Sequence, residues 1–271
     1  MGRVITVTSG KGGVGKTTAT ANIAAALALH GHKVVAIDTD IGLRNLDVVL
    51  GLENRIVYDV VDVIEGRCRL RQALIRDKRL PELFLMPASQ TRDKDAVEPE
   101  QMVELCKELR EQFDFILLDS PAGIERGFRV ALAPADQVLI ITTPEVAAVR
   151  DADRVIGLVE AAEKGPALLV INRLKPSMVR RGDMLSPDDI TEILAVDLIG
   201  LVPEDEAVVI STNRGQPLAI DGSHPAGQAF EAIALRLTGE DIPVTDLKPG
   251  GGLLSRILRF VREGGRTNLQ P

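Results

Sequence analysis

The chain has 271 residues, 45% of them hydrophobic and 26% charged, and its net charge is −7. This composition suits one large globular α/β domain, and its acidic balance excludes a strongly basic nucleic-acid-binding body. Cys68 and Cys106 form no CxxC pair, so neither a disulfide framework nor a zinc site is expected.

Short β-branched runs alternate with helical stretches along the chain. Several runs, such as FILLD and VLIIT, are apolar throughout, which is typical of strands buried on both faces of a parallel sheet. The predicted strands are Val4–Thr8, Val34–Asp38, Leu83–Met86, Phe115–Asp119, Val138–Thr142, Leu168–Asn172 and Leu198–Val202. The predicted helices are Lys16–Leu29, Pro99–Gln112, Val146–Ala162, one capped by Ser186, and Ala226–Leu237. The alternation predicts a doubly wound α/β fold with a mostly parallel sheet.

The stretch TSGKGGVGKTT follows the first predicted strand and opens the first helix. Its glycines fit the dinucleotide fingerprint GxGxxG, with Asp38 at a plausible distance along the chain for a ribose contact. They also fit the triphosphate-binding pattern GxxxxGK[ST], which ends in Lys16 and Thr17. These two residues favour the triphosphate, because its β- and γ-oxygens need the lysine and its Mg²⁺ needs the hydroxyl. The residues predicted to cradle the phosphates are Gly10, Lys11, Gly12, Gly13, Val14, Gly15, Lys16, Thr17 and Thr18.

The loop carries a second lysine, Lys11, at a position that an ordinary P-loop leaves free. KGGVGKT resembles the deviant Walker A motif of the MinD/ParA family of P-loop ATPases (SIMIBI-type). The resemblance implies a homodimer that sandwiches two ATP molecules, in which Lys11 reaches the partner's phosphates. A cation supplied by the partner subunit would stabilise charge on the transferring phosphoryl group, as an arginine finger does.

Acidic residues at two strand ends complete the predicted site. Asp119 ends the apolar run FILLD, where a carboxylate can hold Mg²⁺ together with Thr17. Asp38 ends the second strand and Asp40 follows it, and both can face the γ-phosphate as the chain leaves the sheet. The family resemblance implies that Asp38 organises the water shell of Mg²⁺ and Asp40 positions the attacking water. Two acids that merely cap a turn are the alternative.

The purine end of the site is predicted at two later strand ends. Asn172 and Arg173 lie at the end of one strand, and Pro203 and Asp205 follow the next. The family resemblance implies that this asparagine and the Pro-x-Asp stretch contact adenine. An amide suits this role because it can both donate to and accept from a purine edge.

The C-terminal end of the chain has a different pattern. We predict an ATPase domain at 1–245, a flexible Gly/Pro linker at 246–252, an amphipathic helix at 253–263 and a disordered tail at 264–271. On a helix, the apolar residues of 253–263 fall within an arc of about 160° and the arginines lie opposite. This pattern predicts binding to anionic membrane lipid, with docking on the body or on a partner as alternatives. The membrane-facing set is Leu253, Leu254, Ile257, Leu258, Phe260, Val261, Arg256, Arg259 and Arg262.

Further stretches narrow the resemblance to the septum-positioning branch of the family. DSPAGIE begins at Asp119, and PEVAAVRDADR occupies 144–154. The resemblance implies that Arg150, Asp151 and Asp153 lie on a partner or dimer face that receives a MinC-like division inhibitor and a MinE-like activator. It also implies a cytoplasmic protein that joins the inner face of the cell membrane when ATP is bound.

Other members of the family remain alternatives. A ParA-like segregation ATPase would share the nucleotide site, but a basic DNA-binding surface is expected of it. A flagellar-number regulator could share both the ATPase and the tail. An iron–sulfur reductase would need interface cysteines, and Cys68 and Cys106 both precede Asp119.

Overall fold

The computed structural model describes residues 1–93 and 95–244. The predicted linker, membrane helix and tail therefore lie outside the described residues, as does residue 245. All of the residues predicted to face the membrane lie in this segment. Among residues 1–93 and 95–244, no helix has the length and apolar character needed to span a bilayer.

One eight-stranded sheet organises these residues. Its strand order is β3-β4-β2-β5-β1-β6-β7-β8, and every neighbouring pair is parallel except β3 with β4. The strands are β1 (Arg3–Thr8), β2 (Val34–Asp38), β3 (Ile75–Arg76), β4 (Leu83–Met86), β5 (Phe115–Asp119), β6 (Gln137–Thr142), β7 (Ala167–Leu174) and β8 (Asp197–Pro203). The predicted doubly wound, mostly parallel α/β fold is confirmed.

Helices cover both faces of the sheet. They are α1 (Lys16–Leu29), α2 (Leu46–Leu50), α3 (Val60–Ile64), α4 (Leu70–Ala73), α5 (Pro99–Leu109), α6 (Arg126–Leu132), α7 (Val146–Ala161), α8 (Pro176–Arg181), α9 (Pro187–Leu194), α10 (Glu206–Asn213) and α11 (Pro225–Thr238). Short 3₁₀ turns occupy Glu53–Arg55 and Leu218–Ile220. Helix α1 is alanine-rich and nearly all buried, since it packs between the sheet and α11. The small side chains allow this close approach.

Some boundaries differ from the prediction. Helix α5 ends at Leu109 and not at Gln112, because the next residues form a turn in which the Gln112 N–H donates to the Leu109 carbonyl at 2.9 Å. Strand β3 was not predicted, since two residues are too short to show a period. The predicted cap of α9 is confirmed: the Ser186 hydroxyl accepts the Asp189 N–H in a capping box.

The two edges of the sheet are closed in different ways. At one edge β3 is only two residues long and antiparallel to β4. At the other edge, the Arg236 guanidinium donates to the Ile199 carbonyl of β8 at 2.7 Å. The same guanidinium also donates to the carbonyls of Ile242 and Pro243, at 2.7 and 2.8 Å. This arginine therefore holds the segment after α11 close to the edge strand.

Candidate active site

Three central strands bring the predicted phosphate and metal residues to one edge of the sheet. Strand β1 lies between β5 and β6, and the loop that follows it opens α1. Val7 of β1 pairs with Asp119 of β5, and Asp38 of β2 also pairs with Asp119. The carboxyl ends of parallel strands form the crevice where ligands bind in open α/β sheets.

Two glycines fix the path of the phosphate loop. A Cβ on Gly10 would lie 2.2 Å from the Asp151 carbonyl oxygen of α7, and a Cβ on Gly15 would lie 2.4 Å from the Asn172 amide nitrogen. Gly15 also has a φ of 93°, which a side chain would strain. The loop therefore packs directly on α7 and β7. Of the other predicted loop residues, Val14 is buried, Thr17 and Thr18 are half-buried, and Gly12 and Gly13 are exposed.

The lysine at the start of α1, Lys16, is buried against Asp119. Its Nζ lies 2.9 Å from Asp119 Oδ1, and the Thr20 hydroxyl lies 3.1 Å from the same oxygen. Both side chains of the ion pair are nearly inaccessible, at 9% and 2% exposure. Burial of two charges is stable only when they remain paired. The structure thus joins the predicted phosphate lysine to the predicted metal acid.

Asp38 is buried and holds the loop that follows β2. Its carboxylate accepts the backbone N–H groups of Asp40, Asn45 and Leu46 at 2.9, 2.9 and 3.0 Å. Burial and the nearby Asp119 raise the pKa of Asp38 to about 6, although these three hydrogen bonds oppose the shift. Asp40 is half-buried at the start of the loop. We call residues 39–45 the switch loop.

The raised pKa of Asp38 gives a pH-dependent stability. A carboxyl with a higher pKa when folded binds more protons in the native state, so its contribution falls as pH rises from about 4 to about 6. Two pKa units correspond to about 3 kcal/mol. We therefore expect wild type to lose up to about 3 kcal/mol of unfolding free energy relative to Asp38→Asn between pH 4 and pH 7. Urea denaturation of both proteins across this range measures the difference, and parallel pH curves would contradict it.

The second lysine, Lys11, lies on the surface. Its side chain is 45% exposed, and its Nζ lies 3.7 Å from a carboxylate oxygen of Glu145, which is itself 63% exposed. Glu145 immediately precedes α7. Exposed pairs of this kind contribute little to stability. The two lysines of the loop are thus divided, one inside the subunit and one on its rim.

A cavity of 620 Å³ is lined by all four residues predicted at the purine end: Asn172, Arg173, Pro203 and Asp205. Asn172 is already engaged: its amide donates to the Val14 carbonyl of the phosphate loop at 2.8 Å, and its oxygen accepts the Arg173 N–H at 2.9 Å. Asp205 caps α10 by accepting the Ala207 N–H at 2.9 Å. Sequence reasoning missed several lining residues because they carry no motif: Lys175, Pro176, Val209 and Phe230.

Helix α7 carries the predicted partner or dimer residues beside the phosphate loop. Arg150 and Asp153 are exposed, and Asp151 is half-buried with its backbone against Gly10. The structure therefore places this face next to Lys11, which contacts the N-terminal end of the same helix.

Comparisons with known proteins identify the family. Residues 5–218 match the family model described as the CobQ/CobB/MinD/ParA nucleotide binding domain. The chain is 56% identical over 266 residues to the septum site-determining protein MinD of Synechocystis sp., covering 97% of this chain and 100% of that protein.

Solved structures show the same relationship. A chain of the MinC:MinD cell division protein complex from Aquifex aeolicus is 52% identical, with a TM-score of 0.85, over 90% of this chain and 98% of that one. Pyrococcus horikoshii MinD complexed with Mg-ADP is 29% identical, with a TM-score of 0.79, over 89% of this chain and 100% of that one. The chain therefore belongs to the CobQ/CobB/MinD/ParA family of nucleotide-binding ATPases and, within it, to the septum site-determining MinD branch.

Proposed function

We propose that this chain is an Mg²⁺-dependent ATPase that dimerises when it binds ATP and hydrolyses ATP at the dimer interface. The division of the two loop lysines carries the proposal. Lys16 is buried within the subunit at 2.9 Å from Asp119, whereas Lys11 lies exposed on the rim of the same loop. An exposed cation on the rim of a phosphate loop supports a role for Lys11 at the site of a second copy of the chain.

The residues present fit the nucleotide and its metal. The glycines bring backbone N–H groups to the start of α1, which is a favourable site for phosphate. Thr17, Asp38 and Asp119 offer oxygen ligands of the kind that Mg²⁺ prefers, and Mg²⁺ commonly takes only one or two carboxylates together with substrate phosphates. The 620 Å³ cavity at the end of β7 and β8 is large enough for a nucleoside.

Each side chain then has a defined task. To contact the phosphates, Lys16 must break its ion pair with Asp119. The Asp119 carboxylate would then be free to bind Mg²⁺. Asp40 holds the attacking water, and Lys11 of the second subunit stabilises negative charge on the transferring phosphoryl group. Bound Mg²⁺ neutralises charge on the phosphate oxygens. Positioning and electrostatics supply most of the catalysis in phosphoryl transfer.

Membrane binding is the second part of the proposal. A short amphipathic helix of the kind predicted at 253–263 binds lipid weakly by itself, but two of them on one dimer bind with avidity. ATP binding therefore places the dimer on the inner face of the cell membrane, and hydrolysis releases it. Its similarity to MinD of the MinC:MinD complex supports recruitment of a MinC-like inhibitor to the septum-positioning system, with a MinE-like activator that stimulates release.

Vesicle sedimentation tests this proposal. We expect the full chain to pellet with phosphatidylglycerol vesicles in the presence of a non-hydrolysable ATP analogue and to stay in the supernatant with ADP. A chain truncated before Gly252 tests whether the tail is needed. The double variant Ile257→Glu/Glu263→Ile tests the amphipathic pattern of the tail, because it moves one apolar residue off its face without changing the net charge. Equal pelleting with ADP would contradict the nucleotide switch. Retention on DNA without lipid binding would favour a ParA-like segregation ATPase.

A further inference from the structure

A charged turn outside the predicted site holds two helices together. The turn is Asp77-Lys78-Arg79, and it lies between β3 and β4. Sequence reasoning assigned no role to it. Its arginine spans three elements, and we call this contact the Arg79 clamp.

Asp77 fixes the direction of the clamp. Its side chain is only 1% exposed, and its two oxygens accept the Arg79 Nε and Nη2 groups at 3.1 and 2.7 Å. Burial alone would raise the pKa of Asp77, but hydrogen bonds from the side chain and backbone of Arg79 lower it. The carboxylate therefore stays ionised and orients the guanidinium.

The remaining donors of Arg79 join the C-terminal ends of two helices. Nη2 donates to the Leu50 carbonyl at the end of α2 at 2.5 Å, and Nη1 donates to the Gly215 carbonyl just after α10 at 2.7 Å. The helix ends also touch directly, because a Cβ on Gly215 would lie 2.5 Å from the Gly51 Cα. Only a planar guanidinium can serve a carboxylate and two carbonyls in this way.

The N-terminal ends of the same two helices lie in the candidate active site. Helix α2 begins where the Asp38 carboxylate accepts the N–H groups of Asn45 and Leu46. Helix α10 is capped at its N-terminal end by Asp205, which lines the purine cavity. The helices are five and eight residues long, so they span only about 8 and 12 Å. Helices this short do not bend, so a displacement of one end of the helix also displaces the other end.

We propose that Arg79 is a positioning residue that couples occupation of the purine cavity to the switch loop. Adenine that contacts Asp205 fixes α10, and the Arg79 clamp fixes α2 against α10. Helix α2 in turn fixes the backbone N–H groups that donate to the Asp38 carboxylate. Arg79 itself does not line the purine cavity. This inference rests on the proposed nucleotide site, and its test separates the two.

Hydrogen exchange read by mass spectrometry tests the coupling in the full chain. Exchange is followed in peptides that cover 39–52 and 203–216, with Mg²⁺ and either ADP or pyrophosphate. Pyrophosphate occupies only the phosphate loop, so the difference between the two ligands reports the effect of the nucleoside. In wild type, we expect ADP to slow exchange in both peptides at least threefold more than pyrophosphate does.

Arg79→Met should keep the nucleoside effect in 203–216 and lose it in 39–52. Arg79→Lys should give a smaller loss, and the exposed neighbour Lys78→Met should behave as wild type. A nucleoside effect that persists in 39–52 of folded Arg79→Met would overturn the proposal. Loss of the effect in both peptides would also overturn it, since Arg79 would then act only on cavity stability.

Two further outcomes are decisive. If ADP leaves 203–216 of wild type unchanged, the proposed nucleotide site itself fails. If it protects 203–216 but not 39–52, the site stands and the coupling fails. Should Arg79→Met not fold, Arg79→Lys and Gly215→Ala carry the test, because added bulk at Gly215 separates the helix ends while keeping the arginine.

Discussion

Replacing Lys16 with methionine is expected to lower ATP hydrolysis by at least about 10²–10³-fold, since it removes a cation aimed at the developing phosphate charge. It should also weaken the fold. Asp119 is 2% exposed and Lys16 is its ion-pair partner, and an uncompensated buried charge costs about 3–5 kcal/mol. A phosphate-release assay and urea denaturation at pH 7.5 measure the two effects.

Lys107→Met is the matched control for this substitution. Lys107 is 70% exposed and lies 3.7 Å from Glu104, so its loss should change the unfolding free energy by less than about 0.5 kcal/mol. Hydrolysis by this control should equal that of wild type. Undiminished hydrolysis by Lys16→Met would show that the phosphates bind elsewhere.

Replacing Lys11 with alanine is expected to lower the rate of ATP hydrolysis by about 10³-fold. This is the lower end of the rate effect of a cation that a partner subunit supplies. Affinity for ADP should change less than about threefold, because Lys11 lies on the rim of its own subunit, 3.7 Å from the exposed Glu145. ATPase rate against protein concentration and light scattering with ATP measure the result. The wild-type rate per subunit should rise with concentration, and that of Lys11→Ala should not.

Mixing experiments separate action in trans from action in cis. Asp40→Asn keeps Lys11 but lacks the group that positions water, whereas Lys11→Ala keeps Asp40. In a mixed dimer, Asp40→Asn would supply its Lys11 to the intact site of the other subunit, so activity should return. A mixture as inactive as its two components would contradict the interface model. Glu145→Gln serves as the control, because it removes the carboxylate that pairs with Lys11 and keeps both Lys11 and Lys16.

Much of the central sheet was predictable because its strands are apolar on both faces. The bounds of β2, β4 and β5 agree with the prediction, and all five residues of β2 and of β5 are buried. The short helices α2, α3 and α4 were not predicted. Helices of four or five residues show too little periodicity, and their stability comes from tertiary packing.

The site was predictable where it depends on order along a strand and not where it depends on distant contacts. An acid at the end of β5 was expected beside the phosphate loop, and the register brings Asp119 next to Val7. By contrast, the bond from Asn172 to Val14 joins residues 158 positions apart. The Arg79 clamp was not predictable for the same reason, since one of its carbonyl partners ends α2 and the other lies just after α10.

The way in which the sheet ends has a consequence for crowding. Unpaired strand edges recruit other strands and so seed aggregates, and short or charged edges prevent this. Here a two-residue strand closes one side, and Arg236 occupies a carbonyl on the other. Both features disfavour extension of one copy's sheet by another when copies of this protein are gathered densely on a surface. An ordered lattice of such copies would then grow through helix and loop faces.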